Sequence, residues 1–178
     1  MAMLERTHRR LRQARFFYQH LVDARHQTKG DPEAFRFYFF AFIEAARTVT
    51  WTLGNEEEEK WKAWEPKWKA SLSKEEKKLL DATNKLRIDE AKKGGADLTV
   101  DFEEVAIDEL LSASLDLRRQ HPAYGHHWTG PPGVPPPKIR RPAYYLEDKE
   151  GKEEITALSG RYLKLLDKMV ADFIRENG

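Results

Sequence analysis

A chain of 178 residues has the length of one ordinary domain and can bury a core without disulfides or metal. It holds no cysteine, which excludes a disulfide framework and a thiolate metal site, and 31 Lys plus Arg against 30 Asp plus Glu leave no global charge that would attract nucleic acid. Any phosphate site must therefore be a local patch. The opening MAMLERTHRRLRQ is charged where a secretory leader needs an apolar run, and no stretch approaches membrane-spanning length, so a cytoplasmic protein with no membrane contact is expected.

Helical signals come first. In RTHRRLRQARFFYQHLVDARHQ, Leu11, Ala14, Tyr18 and Leu21 recur at spacings of three and four, which predicts an amphipathic helix over 4–27. Its other faces carry Arg6, Arg9, Arg10, Arg12 and Arg15, a basic side that either meets phosphates or is simply solvated. Asp31 before Pro32 reads as an N-cap with proline in the first turn. The helix it opens, AFRFYFFAFIEAARTVTWTL, is apolar on nearly every face from Phe35 to Ile43 and is expected to be the central element.

Gly54 and Asn55 separate this helix from EEEEKWKAWEPKWKASL, whose glutamates suit a helix N-terminus. Trp61, Trp64 and Trp68 fall on one face of it, where large aromatics pack on a core or, alternatively, present a surface to a protein partner. Pro66 is expected to kink or divide the helix. Ser73 and Glu76 form a capping box ahead of a polar helix that runs to Gly94 and Gly95.

The pattern then changes. ADLTVDFEEVAID alternates Leu98, Val100 and Phe102 with polar residues, as a half-buried strand does, while ELLSASLDLRRQ is compatible with a strand or a short helix. Residues 121–142 are rich in proline and glycine and are expected to form a long loop. His121, His126 and His127 lie in that loop without the carboxylate or cysteine pattern of a metal site, so no metal and no cofactor is implied. AYYLEDKEGKEE reads as a short strand and turn that pairs with the strand near residue 100. A last helix follows, with Ile155, Leu158, Tyr162, Leu165, Met169 and Phe173 as a continuous apolar seam. The sum is a single mainly α domain over 1–178, a bundle of four to five helices with a small β-hairpin or strand pair inserted before the C-terminal helix.

The segments ARFFYQHL, DPEAFRFYFFAFIEAARTVTW, the polar helix end before Gly-Gly, and YYLEDKEGKEEITALSGRYLKLLDKMVADF together resemble the HEPN family of helical bundles, in an uncharacterised bacterial branch. The resemblance spans nearly the whole chain and is one of pattern and order. It implies a homodimer in which two helix ends face one another and, in active members, metal-independent RNA cleavage by an arginine and a histidine. On this chain the motif falls on RIDEAK, with Arg87 as the arginine, Ile88 at a position that relatives fill with a polar residue, and Lys92 where the histidine belongs. A lysine, with a reference pKa of about 10.4, is a poor general base near neutral pH.

What the resemblance implies is thus a degenerate, non-catalytic module that binds RNA or a nucleotide at a basic helix end. Arg87 and Lys92 would grip a phosphate, Asn84 and Lys85 lie one turn away, and Glu44 and Arg47 of the second helix would line the same groove. Two alternatives stand beside it. One is a ribonuclease with an altered site, its histidine replaced by His20 or His26; the other is a homodimeric scaffold that meets a protein partner.

Overall fold

The computed structural model describes residues 4–26, 30–93, 98–106, 133, 135, 137–148 and 151–178. Among them are five helices, α1 (Glu5–His26), α2 (Pro32–Glu56), α3 (Glu58–Ser71), α4 (Lys74–Lys93) and α5 (Ile155–Asn177). Three strands stand between the last two helices, β1 (Leu98–Ala106), β2 (Lys138–Asp148) and β3 (Gly151–Glu154). The architecture is the mainly helical bundle with a small inserted sheet that the sequence predicts.

Local chemistry sets the helix starts. The Asp31 carboxylate accepts from the backbone N–H groups of Glu33 and Ala34 at 2.9 and 3.1 Å, with Pro32 at a position that needs no donor. The capping box at α4 closes in both directions, Glu76 N to Ser73 Oγ at 3.1 Å and Ser73 N to Glu76 Oε2 at 2.8 Å. At α5 the cap is Glu154, which accepts from Ala157 N at 2.7 Å. The start of α1 is closed from another helix: Glu56, at the end of α2, accepts from the backbone of Arg6 and Thr7.

The central element is α2, which packs against α1, α3, α4 and α5. Phe35, Phe39, Phe42, Ile43, Ala46, Val49 and Leu53 recur every three to four residues and are buried along one broad face, while Glu33, Phe37 and Glu44 on the opposite side are exposed, so the nearly all-apolar stretch from Phe35 to Ile43 is not enclosed on every side. Against it, α5 contributes the predicted seam, from Ile155 through Tyr162 to Phe173, all buried. Each side chain of Phe or Leu size removed from water here contributes about 1.5–3 kcal/mol.

Two boundaries differ from the expectation. The α2 helix runs through Gly54 and Asn55 to Glu56, because the bare Cα of Gly54 lets the Trp61 ring lie against it; a Cβ there would stand 3.0 Å from Trp61 Cδ1. Pro66 does not divide α3, which is one helix from Glu58 to Ser71. An interior proline costs about 3 kcal/mol of helix stability. Trp61 and Trp64 before it and Trp68 after it are all buried, and that packing holds both halves in one helix.

The sheet has the order β1-β2-β3, antiparallel throughout, with Val100 opposite Tyr144 and Phe102 opposite Pro142. Lys138–Pro142, expected in the long loop, belong to β2. Pro142 cannot donate to a ladder, and it falls in a part of β2 that the four-residue β3, paired only with Tyr145–Asp148, does not reach. The sheet meets the bundle through Tyr144, fully buried and stacked on Phe35 with ring centroids 3.7 Å apart. Residues 108–120 and the histidines His121, His126 and His127 lie outside the described residues.

Candidate functional site

Along the seam between α2 and α4 the structure brings several of the predicted residues together. Glu44 Oε2 lies 3.7 Å from Arg87 Nε, with the two side chains 67% and 36% exposed. Arg47, one turn along α2, and Asn84, one turn back along α4, both line a cleft of about 750 Å³ between α2, α3, α4 and α5. Lys85 is exposed and does not line this cleft. Lys92 stands in the last turn of α4, but its side chain lies outside the described residues. The pair formed by Glu44 is therefore with Arg87 across the seam, while Arg47 makes no ion pair among the described residues.

The floor of the cleft is apolar and aromatic: Trp61, Trp68, Leu72, Leu80, Tyr162 and Met169. Trp51, on its α2 wall, is 70% exposed. Sequence reading passed over Trp51 and over Asp81, which lines the α4 wall. Both were within reach of a spacing argument, since Trp51 follows Arg47 by one helical turn and Asp81 precedes Asn84 by three residues.

The three tryptophans of α3 are buried in the chain's own core, at 5–8% exposure. Trp64 packs edge-on to Phe173 of α5 at 5.2 Å, stacks on Trp68 at 5.6 Å, and donates its Nε1–H to Glu176 Oε2 at 2.8 Å. Packing on the core, and not a face turned to a partner, is what the structure gives these residues. Trp68 keeps a buried Nε1–H with no acceptor among the described residues.

Neither His20 nor His26 stands with Arg87 in this structure. His20 stacks on Tyr38 at 5.1 Å and meets Phe16 edge-on at 4.3 Å. His26 belongs to a charged cluster at the junction of α1, the sheet and α5. There Glu103 Oε1 accepts from Arg141 Nε at 2.7 Å and from Arg25 Nη2 at 3.1 Å, and Arg25 Nε lies 3.0 Å from the α5 cap Glu154 as an ion pair without hydrogen-bond alignment. Arg141 Nη1 stands 2.8 Å from His26 Nδ1. A guanidinium only donates, so Nδ1 must accept and the proton of the neutral ring sits on Nε2. Burial, then Arg141 and Arg25, hold the His26 pKa below its ordinary 6.5. Both nitrogens of this ring are thereby committed: Nδ1 has no lone pair free to act as a base, and Nε2 has only a proton to give.

The basic side of α1 is partly engaged as well. Arg15 pairs with Asp167 of α5 at 2.7 Å and Arg9 with Glu5 at 3.5 Å.

No histidine is among the described residues that line the cleft. Burial pushes the Tyr162 hydroxyl up to about 12, against a hydrogen bond with Thr83 that pulls the other way, which places it far from acid–base work at neutral pH. Among the described residues no group of three or more His, Asp or Glu side chains could hold a metal, and no helix is long and apolar enough to cross a membrane. Neither a protein-family model, a curated protein nor a solved structure matches the chain.

Proposed function

We propose that this chain is a non-catalytic, HEPN-like binding module that takes a nucleotide or an RNA phosphate in the cleft between α2 and α4. One observation carries the reading: an arginine without an ion-pair partner among the described residues, Arg47, stands on the wall of a cleft whose volume suits a small molecule, above tryptophan rings and beside the exposed Trp51. Arg47 supplies charge for the phosphate and Trp51 a flat face for a base. Arg87, one turn beyond Asn84 on α4 and outside the lining of the cleft, would be a second anchor for a ligand that extends along the seam. Its exposed pair with Glu44 contributes only about 0–1 kcal/mol, so exchanging that carboxylate for a phosphate oxygen costs little. The lysine at position 92 and the engaged state of His20 and His26 support binding without cleavage.

Titration of nucleoside monophosphates and a short RNA by calorimetry across a salt series, with RNA integrity read from the same samples, tests this. Binding that weakens with salt, falls about tenfold or more in Arg47→Ala, and leaves the RNA intact is the expected result. Metal-independent cleavage, or an Arg47→Ala protein that binds as well as the parent, would overturn it.

The outer face of α2 favours a second reading, a homodimer. Phe37 and Trp51 are 64% and 70% exposed and stand seven residues to either side of Glu44. Two copies crossing antiparallel at Glu44 set Phe37 of each against Trp51 of the other, with Arg47 near the opposing carboxylate. A monomer–dimer equilibrium in sedimentation that Phe37→Glu abolishes is the expected outcome; a monomer at all concentrations refutes it.

A further inference from the structure

Most polar groups of the cleft satisfy one another. Lys62 pairs with Glu58 at 2.6 Å and Lys69 with Glu65 at 2.8 Å, while Asn55 donates to the Trp51 carbonyl at 2.9 Å and Lys77 to the Ala70 carbonyl at 3.1 Å. Three side chains on the wall remain without partners among the described residues: Arg47 on α2, and Asp81 and Asn84 on α4. Asp81 and Asn84 are three residues apart and so lie on one side of their helix, both exposed. Trp68, which also lines the cleft, carries the buried indole N–H that has no acceptor among the described residues. A ligand that completes this cleft brings an anion to Arg47, hydrogen-bond donors to Asp81 and a flat ring system to the tryptophans.

A carboxylate is an acceptor with two oxygens, and it is matched best by two donors side by side. The common bases differ in this respect. Adenine and cytosine each present one amino donor next to a ring acceptor on the pairing edge, and uracil presents one N–H between two carbonyls. Guanine alone offers adjacent donors, N1–H and the 2-amino group, with the 6-oxo acceptor beside them.

We infer that the cleft selects a guanine-type base, with Asp81 reading its N1–H and 2-amino group, Asn84 donating to its 6-oxo group, and Arg47 holding the phosphate. This deepens the nucleotide reading above and rests on it. Trp51 supplies the stacking face, which is indifferent to base identity, so discrimination resides in the carboxylate.

The test compares GMP, IMP and AMP, at one salt concentration, on the full chain and on Asp81→Asn, by calorimetry and tryptophan quenching. IMP is GMP without the 2-amino group, so it isolates the second donor. The parent is expected to bind GMP about tenfold or more tighter than IMP, since a hydrogen bond to a charged group is lost, and AMP more weakly still, since its ring acceptor faces the carboxylate. In Asp81→Asn the GMP to IMP ratio is expected to fall to about one, because an amide meets two donors with only one acceptor. Asp81 is exposed and unpaired among the described residues, so circular dichroism and the urea midpoint of the variant should match the parent. Equal binding of GMP and AMP, or an unchanged ratio in Asp81→Asn, overturns the guanine assignment while leaving nucleotide binding standing. Absence of binding by all three nucleotides overturns both.

Discussion

Replacing Glu56 by alanine removes the group that closes the start of α1 from the far end of α2. Its carboxylate accepts from Arg6 N and Thr7 N, both at 2.8 Å, and from Thr7 Oγ1 at 2.6 Å. Two losses add. A helix start without its capping acceptor costs about 0.5–2 kcal/mol. Thr7 is fully buried, so its hydroxyl is left without that acceptor in a dry place, at about 1–3 kcal/mol more. With some overlap between them, about 2–4 kcal/mol is expected. Leu4, just ahead of the helix, adds to the demand on this cap, since its φ of 64° lies in the left-handed region that costs a non-glycine residue about 1–2 kcal/mol. In urea, where a chain of this size loses roughly 1–3 kcal/mol per molar, the midpoint should drop by about 1–2 M. A second background sharpens the assay. In Thr7→Val there is no hydroxyl to orphan, so the same Glu56→Ala change should cost only the capping part, about 0.5–2 kcal/mol. Equal costs in both backgrounds, or a cost under about 0.5 kcal/mol in the parent, would refute the reasoning. The pH dependence has a definite sign. Burial alone would raise the Glu56 pKa, but the hydrogen bonds from Thr7 and Arg6 overcome it and leave the group below the usual carboxylate value. The cap's contribution is therefore present above that usual value and is lost as pH falls through the lowered one.

Acidification should also act through His26. With a folded pKa below 6.5, set by burial and by Arg141 and Arg25, the unfolded chain takes up a proton that the folded chain refuses. Stability from this group therefore falls as pH drops from 6.5 through the folded value. Urea midpoints at pH values above and below that window should separate by more in the parent than in His26→Gln, whose amide oxygen accepts from Arg141 without titrating; identical pH dependence would count against the cluster geometry. Gly30→Ala should lose about 1–3 kcal/mol, since a Cβ there would stand 2.4 Å from Pro142 Cγ and 2.6 Å from the hydroxyl of the buried Tyr144, neither of which has room to retreat. A wild-type thermal midpoint in Gly30→Ala would mean that the α1–α2 junction yields where the structure shows close packing.

Much of the fold was legible because single residues carried it. Asp31 with Pro32, the Ser73–Glu76 box and the seam from Ile155 to Phe173 each act within one or two turns, where sequence spacing and physical contact coincide. The places that differed depend on contacts between distant segments. Gly54 reads as a break until Trp61 lies on it, and Pro66 reads as a divider until the buried indoles on either side hold α3 together. Pro142 sits in a strand because β3 is short, which nothing near residue 142 records. The site divides in the same way. Arg87 came from the motif of the resemblance, Asn84 from its place one turn away, and Glu44 and Arg47 from being polar in a largely apolar helix, and all four do line one seam. Asp81 and Trp51 lay within reach of the same helical spacing; what spacing does not record is that both stay exposed on the wall of the cleft, a property of the packed molecule alone. The cluster of Arg25, His26, Glu103, Arg141 and Glu154 joins residues more than a hundred positions apart and leaves no local signature.

The indoles of α3 also act as struts. Trp61 and Trp64 bridge to Phe173, so the distance from α3 to α5 is gauged by the width of a bicyclic ring. Shorter apolar residues at these positions would let α3 settle toward α5 and shrink the hollow beside it, with Arg47, Asp81 and Asn84 untouched. The bore of the cleft and its chemical selectivity thus sit on different helices, and descendants of this chain are free to resize one without rewriting the other.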